Sequence, residues 1–421
     1  MSELDETDPF VSRLDAPTLR AARERGGSAV VVGGAMAGLA AAHALRALDW
    51  DVVLYERQSY ADKRVNCGEA MTDAGSIPLP KTPAYGFANR PPAFEVHVYT
   101  GETGARTLAG EGVFPSTDGY VTDRNVVERR WAEQLAEQGV DVRESTGVRK
   151  AQFRAFSEEF DLVVDATGQP SMASKVDGTT GEYAGRMTAL NADVEGDFSE
   201  LYPNSRILFE NYLGYAWAFP KSETRANVGI GWAEDKLPDD YYAAFVAACE
   251  RNDWPVPDRS AMNIYTIPRG PSLDPERTWD AERRIARVGD AAGVANRFTG
   301  KGISQAVESS YLLAELAARN RLDDYPEELY DRMKNEYRLA YVVRGALEDG
   351  RPDILGGVMN AVSGIDVEAV DREPRHAFSR LVRHPVLLAK LAANPTMLSR
   401  LLDAYTDDWE YRKTAETPTR S

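Results

Sequence analysis

Residues 28–56 constrain the fold more than any other stretch of this 421-residue chain. SAVVVGG, residues 28–34, is short, apolar and β-branched, and two glycines close it. That is how a strand buried on both faces reads. AGLAAAHALRAL follows with strong helix formers, and DVVLYE, residues 51–56, is a second apolar strand. Strand, helix and strand within about thirty residues make a βαβ unit. Inside it, GGAMAG runs from Gly33 to Gly38 and follows the dinucleotide fingerprint, which wants glycine at positions one, three and six. Gly33 allows the tight turn, and Gly38 lets helix and strand pack closely. Ala35, next to Gly34, stands at the middle position, one methyl larger than the glycine that lets the backbone approach a pyrophosphate. Glu56 ends the second strand, 23 residues after Gly33, where a carboxylate accepts hydrogen bonds from a ribose. The pyrophosphate is expected at the N-terminus of the helix starting near Gly38. Ser28 to Leu45 carries no formal charge, but it is too short and too glycine-rich to span a bilayer comfortably.

Three later stretches choose the dinucleotide. DATG, 165–168, follows a strand-like run. VGDAAG, 288–293, follows another and leads into TGKGI, 299–303, and a long helix, GISQAVESSYLLAELAARN. An early fingerprint with a late Gly-Asp turn resembles the glutathione-reductase-type FAD proteins. The resemblance implies FAD, with Asp290 on the ribityl chain. It also implies that Gly168 and the glycine-rich helix start at Gly300, Gly302 and Ile303 lie close to the flavin.

GYAWAFPK, 214–221, alternates Tyr215, Trp217 and Phe219 with Gly214, Ala216 and Ala218. Successive side chains of a strand point to opposite faces, so one face is a wall of rings and the other is nearly bare. Two readings are open. The bare face packs closely against a neighbour, or the rings form a binding wall for something long, flat and apolar. SETR and ANVGIGW after it suggest a hairpin.

With this motif the chain, from about residue 28 to residue 400, resembles the geranylgeranyl reductase family. The family's Tyr-x-Trp-x-Phe-Pro is met by Tyr215, Trp217, Phe219 and Pro220, which the resemblance makes substrate-binding. Its cysteine motif is matched by NCGEA, which implies that Cys67, Gly68 and Ala70 neighbour the flavin. Arg124 fits the family's arginine on the FAD pyrophosphate, and Val148 the position whose backbone meets the adenine. Ala37, Glu56, Asp290, Gly302 and Ile303 complete the carry-over. The implied activity is an FAD-dependent saturation of C=C bonds in the isoprenoid chains of archaeal membrane ether lipids. Hydride would pass from flavin N5 to one alkene carbon and a proton to the other. Cys67 is the candidate proton donor or polarity setter; its plainer role is that of a small buried hydrophobe, as expected for Cys249. NAD(P)H or a ferredoxin would supply electrons. The chain departs from the family at NRFTGKGI, where Arg297, Phe298 and Lys301 replace Pro, Leu and a small residue, placing a cation near the flavin. A menaquinone side chain is the alternative substrate. A flavin monooxygenase or halogenase is a rival class, though halogenases usually carry Trp-x-Trp-x-Ile-Pro.

Composition excludes other classes. The net charge is −17, and only ten of 49 basic residues are lysine. Such a surface suits concentrated salt, points to a salt-loving source, and lacks the basic face that nucleic acid requires. Two distant cysteines exclude a disulfide framework and a cysteine-ligated cluster. The four histidines, His43, His97, His376 and His384, have no metal-ligand spacing, so no metal is expected. A cytoplasmic protein, at most resting on a membrane surface, fits.

The expected fold is α/β: an FAD-binding Rossmann-like domain interleaved with an antiparallel β-sheet substrate domain, then a helical C-terminal region. Residues 1–26 read as a polar tail or one short helix. The FAD domain takes 27–85, 118–172 and 283–324. The substrate sheet takes 86–117 and 173–282, with a strand pattern in FEVHVYT. The helical region spans 325–412, with breaks near Gly356–Gly357 and at Pro395. DRNVVERRWAEQLAEQG is expected as a helix whose inner face is Val126, Val127, Trp131 and Leu135. HPVLLAKLAANPTMLSRLLDAY is expected to pack on the substrate domain or to form a lid or membrane-facing entry. Its charge is too mixed for strong attraction to anionic lipid.

Overall fold

The computed structural model describes residues 7–101, 106–180, 186–210, 214–233, 237–268, 275–296, 300–372 and 374–406. The βαβ unit forms as its sequence dictates. Ser28–Val32 pairs in parallel with Asp51–Tyr55, and the helix Met36–Ala47 crosses between them. Around this pair a six-stranded sheet takes the order Trp279–Asp280, Ile285–Arg287, Leu162–Asp165, Ser28–Val32, Asp51–Tyr55, Asp141–Arg143. It is parallel except at the edge strand Trp279–Asp280. That edge strand lies a few residues ahead of residue 283, where the last segment of the FAD domain was expected to begin. The crossover helix packs on Ile303–Ala318, where Ser310 Oγ donates to Ala37 O at 2.8 Å.

A seven-stranded sheet runs Asn263–Pro268, Arg186–Glu195, Arg225–Ala233, Gly214–Ser222, Ser205–Phe209, Ala93–Thr100, Thr107–Pro115. This is the expected antiparallel substrate sheet, with one parallel pair in it, Ser205–Phe209 with Ala93–Thr100. A parallel pair needs a long crossover, and the chain between these strands, which enters the first sheet at Leu162–Asp165, supplies it. A third, three-stranded sheet, Ala70–Met71, Tyr120–Thr122 and Phe87–Asn89, completes the strands.

One open reading is decided and one expectation is corrected. Residues 7–26 take the short-helix alternative rather than the loose tail. Asp15 caps the helix Ala16–Arg25 by accepting from Thr18 N. Phe10 is fully buried against Tyr311, and Arg13 pairs with Glu308 and Glu315. Glycine does not break the chain at residue 356, because the helix Pro352–Val362 runs through it. A Cβ on Gly356 would come within 2.7 Å of the Ala109 backbone, so the glycine lets helix and strand approach. Pro395 does open a helix, capped by Asn394. In Arg124–Glu137, Val127, Trp131 and Leu135 are buried and Val126 only half so.

Candidate active site

A cavity of about 780 Å³ lies between the two large sheets, roofed by the C-terminal helices. Its first wall comes from the parallel sheet. Gly33 turns at φ +107°, where a Cβ would meet Ala166 O at 2.4 Å. A Cβ on Gly38 would lie 1.7 Å from Gly33 O. Both glycines are therefore steric requirements of the turn. The turn brings Ala35, Met36 and Ala37, the start of the crossover helix, to the cavity without a side-chain cap. Its free N–H groups and dipole suit a phosphate. Gly168, Gln169, Asp290, Gly300, Gly302 and Ile303 line the same wall. The Asp290 carboxylate has no hydrogen-bonding partner among the described residues, and burial raises its pKa above the usual range against the pull of Arg124. Gln169 Nε2 donates to Asp290 O at 2.6 Å, and its buried Oε1 is unpartnered.

The second wall is the aromatic strand, whose bare face packs into the core and whose ring face lines the cavity. Ala216 and Ala218 are fully buried against a core containing Phe245 and Cys249. Tyr215, Trp217 and Phe219 face the cavity, with ring centroids 5.6 and 6.2 Å apart. Gly229 stands opposite Trp217 in the hairpin, where a Cβ would come 2.1 Å from the indole. Trp217 Nε1 donates to Asn227 Oδ1 at 3.0 Å. Pro220 lies past the end of the wall, outside the cavity lining.

Cys67 sits between the walls with Gly68 and Ala70. A Cβ on Gly68 would be 3.1 Å from Trp217 Nε1, so this glycine lets the cysteine loop lie on the rings. Arg124 opens its helix beside the thiol, and Glu128 anchors its guanidinium at 2.8 Å. Burial disfavours that charge, but Glu128 and Cys67 raise the pKa further than burial lowers it. Burial, with Cys67 nearby, also raises the Tyr215 phenol.

Gly33, Gly34, Gly38, Glu56 and Val148, expected at the cofactor, do not line this cavity. Glu56 accepts from Gly34 N at 3.0 Å, from Gln58 N at 2.8 Å and from Lys63 at 2.8 Å. Burial raises its pKa, and Lys63 and these donors pull it below the usual carboxylate value. Tyr60 donates to Gly34 O at 2.8 Å, so Tyr60 and Lys63 fill the space beside the fingerprint. Val148 packs half-buried beside Tyr55 and Phe153. The residues lining the cavity thus fit the flavin, ribityl and pyrophosphate portions of FAD, and Glu56 Oε1, which accepts only from Gln58 N among the described residues, keeps capacity to accept from a ribose hydroxyl. Arg297, Phe298 and Thr299 lie outside the described residues. Lys301 lines the cavity, 3.6 Å from Glu368.

Sequence reasoning missed Tyr265, Phe94, Phe209 and Glu336, all in the lining. Period-two alternation in FEVHVYT and NIYTIP could have found the first two. Glu336 sits on a long helix, accepting from Gln305 at 2.9 Å, and no sequence signal marks it.

Solved structures of other proteins share this fold. A geranylgeranyl bacteriochlorophyll reductase-like protein of Thermoplasma acidophilum superposes with TM-score 0.63 at 16% identity, over 87% of this chain and 98% of that one. A flavin-dependent halogenase reaches 0.58 at 16%, over 86% and 78%. Residues 182–256 match the geranylgeranyl reductase catalytic domain. Digeranylgeranylglycerophospholipid reductase 2 of Methanothermobacter thermautotrophicus is 30% identical over 69% of this chain and 77% of its own. Its namesake in Methanosphaera stadtmanae is 23% identical over 86% and 98%. The chain belongs to the geranylgeranyl reductase family.

Proposed function

We propose that this protein is an FAD-dependent reductase that saturates the C=C bonds of isoprenoid chains in membrane ether lipids. One observation carries the reading: an aromatic wall and a phosphate-binding helix start face one another across a single cavity, with Cys67 between them. The digeranylgeranylglycerophospholipid reductases among its relatives support the substrate class. FAD, when bound, supplies the hydride. The chain supplies the rest. The helix start and Arg124 would hold the pyrophosphate, and Asp290 would accept from the ribityl hydroxyls. Tyr215, Trp217 and Phe219 bury the alkene and exclude water. Burying apolar chain stabilises the complex by roughly 25 cal/mol per Å². An isolated alkene has no carbonyl to polarise, so positioning carries much of the rate. Cys67 holds a proton beside the reacting carbons. NAD(P)H or a ferredoxin reduces the flavin, and the C-terminal helices rest on the membrane that carries the lipid.

The test is anaerobic. Flavin in the protein is reduced with dithionite, and its absorbance is followed after adding an unsaturated ether lipid or menaquinone. Reoxidation by the lipid without oxygen supports the reading. Faster reoxidation by menaquinone transfers the chemistry to a quinone side chain. Reoxidation by air alone, with an oxygenated product, replaces it with a monooxygenase.

A further inference from the structure

Lys221 closes the aromatic motif, yet it does not line the cavity and its side chain is 1% exposed. Its ammonium donates to three carboxylates: Glu69 Oε2 at 2.6 Å, Asp193 Oδ2 at 2.7 Å and Asp123 Oδ1 at 2.9 Å. Arg225 joins Asp123 at 2.7 Å. Lys221 and Glu69 are the sequestered pair, since Asp123 and Asp193 keep 27% and 39% of their side-chain surface; removing Glu69 leaves a buried ammonium with only the two wetter acids to compensate it.

Glu69 is the hub. Its Oε1 accepts from the Arg124 backbone N–H at 2.9 Å, at the start of the arginine's helix. Its Oε2 accepts from Lys221 and, at 3.3 Å, from Asn227 Nδ2. Its own N–H points at Cys67 Sγ, 3.2 Å away. Its backbone is at φ +65°, a conformation that costs a non-glycine residue and persists where surroundings enforce it. A second tether holds the cysteine. Asn191 Nδ2 donates to Cys67 O at 2.6 Å and leans on Asn227 Oδ1 at 3.3 Å. That same oxygen accepts from Trp217 Nε1. The contacts that fix the thiol, the start of the arginine's helix and the central ring of the wall therefore converge on Glu69.

We infer that Glu69 is the positioning residue for Cys67: its carboxylate, clamped by Lys221, holds the 67–69 loop against the Arg124 helix and the Trp217 ring. The inference rests on the proposed role of Cys67 beside the alkene. It gives the lysine at the end of the aromatic motif a purpose that the cavity does not. It also explains why the residue two after the cysteine is an acid.

The experiment is site-resolved alkylation by iodoacetamide of the flavin-loaded protein, read by mass spectrometry. Cys249, fully buried, is the silent internal control. Glu69→Gln keeps the shape and removes the charge. It is expected to raise the Cys67 alkylation rate about fivefold, with flavin absorbance and melting temperature retained. Turnover should fall about tenfold in kcat with KM within about twofold, the signature of lost positioning. Glu69→Asp is expected to restore part of both. Unchanged alkylation, or activity lost only in step with flavin or fold, overturns the inference. If Glu69→Gln does not fold, Asn191→Ser cuts the second tether alone and must move Cys67 alkylation in the same direction; no change there overturns it too. Alkylation needs no lipid, so a protein that reduces no isoprenoid yet shows the shift keeps the positioning role and loses only the substrate.

Discussion

Asp290 is a carboxylate that the fold tolerates at a cost. Burial raises its pKa above 3.8 in the native state, so the native protein binds that proton more firmly than the unfolded chain. Stability therefore falls as pH rises from the unfolded pKa through the native one. Asp290→Asn removes the effect. In flavin-free protein, its melting temperature should exceed that of the wild type by a margin that grows as pH rises from about 4. The same variant should weaken FAD about tenfold, the loss of a charged hydrogen-bond acceptor, as measured by fluorescence titration. A margin that shrinks with rising pH contradicts the assignment. Asp290 and Cys67 were legible because short motifs fix their neighbours. Glu56 was legible as a strand-ending acid, but not its capture by Lys63. Nothing in the sequence around Lys63 says that its side chain folds back seven residues onto Glu56 and onto Glu128 at 3.0 Å. That contact exists only once the sheet and the Arg124 helix have met.

The hairpin of Gly214–Ser222 with Arg225–Ala233 shows what an element can announce. Its ring and bare faces follow from alternation, and its turn from SETR. The requirement for Gly229 does not, because it depends on which residue stands across the hairpin. Gly229→Ala should push Trp217 off its seat, costing about 1–3 kcal/mol. Its kcat/KM for the prenyl substrate should fall about tenfold, as about 1.4 kcal/mol of lost transition-state contact would give. Denaturant unfolding and steady-state kinetics check the two numbers, and wild-type values in both would remove Trp217 from the site. Gly356 was misread for the same reason: the helix continues, and the glycine answers to a strand far away in sequence. The N-terminal segment left tail and short helix both open, because its few apolar residues are too sparse to show a period; its helix forms, and Phe10 finds its place against Tyr311 of the Ile303–Ala318 helix.

At the scale of the molecule, charge is unevenly spread. Residues 374–405 carry five basic residues against one acid, a net +4 in a chain of −17. The excess comes chiefly from adding the stretch from residue 374 to 383, since the last two helices alone are mixed in charge as expected. These two helices expose Val386 at 72% and Leu402 at 64%. A basic segment with exposed aliphatic residues suits an anionic bilayer. No described helix is long and apolar enough to cross one. Cosedimentation with anionic vesicles at low salt should be strong, should fall as salt rises, and should weaken with Val386→Asp; equal binding to neutral vesicles would contradict the charge argument. The central claim is that the cavity seats an isoprenoid alkene for reduction. The most direct measurement is mass spectrometry of an unsaturated ether lipid after anaerobic incubation with the reduced flavoprotein. The account predicts a gain of two mass units for each bond saturated, abolished by Trp217→Ala. A lipid of unchanged mass beside fully reduced flavin would contradict it.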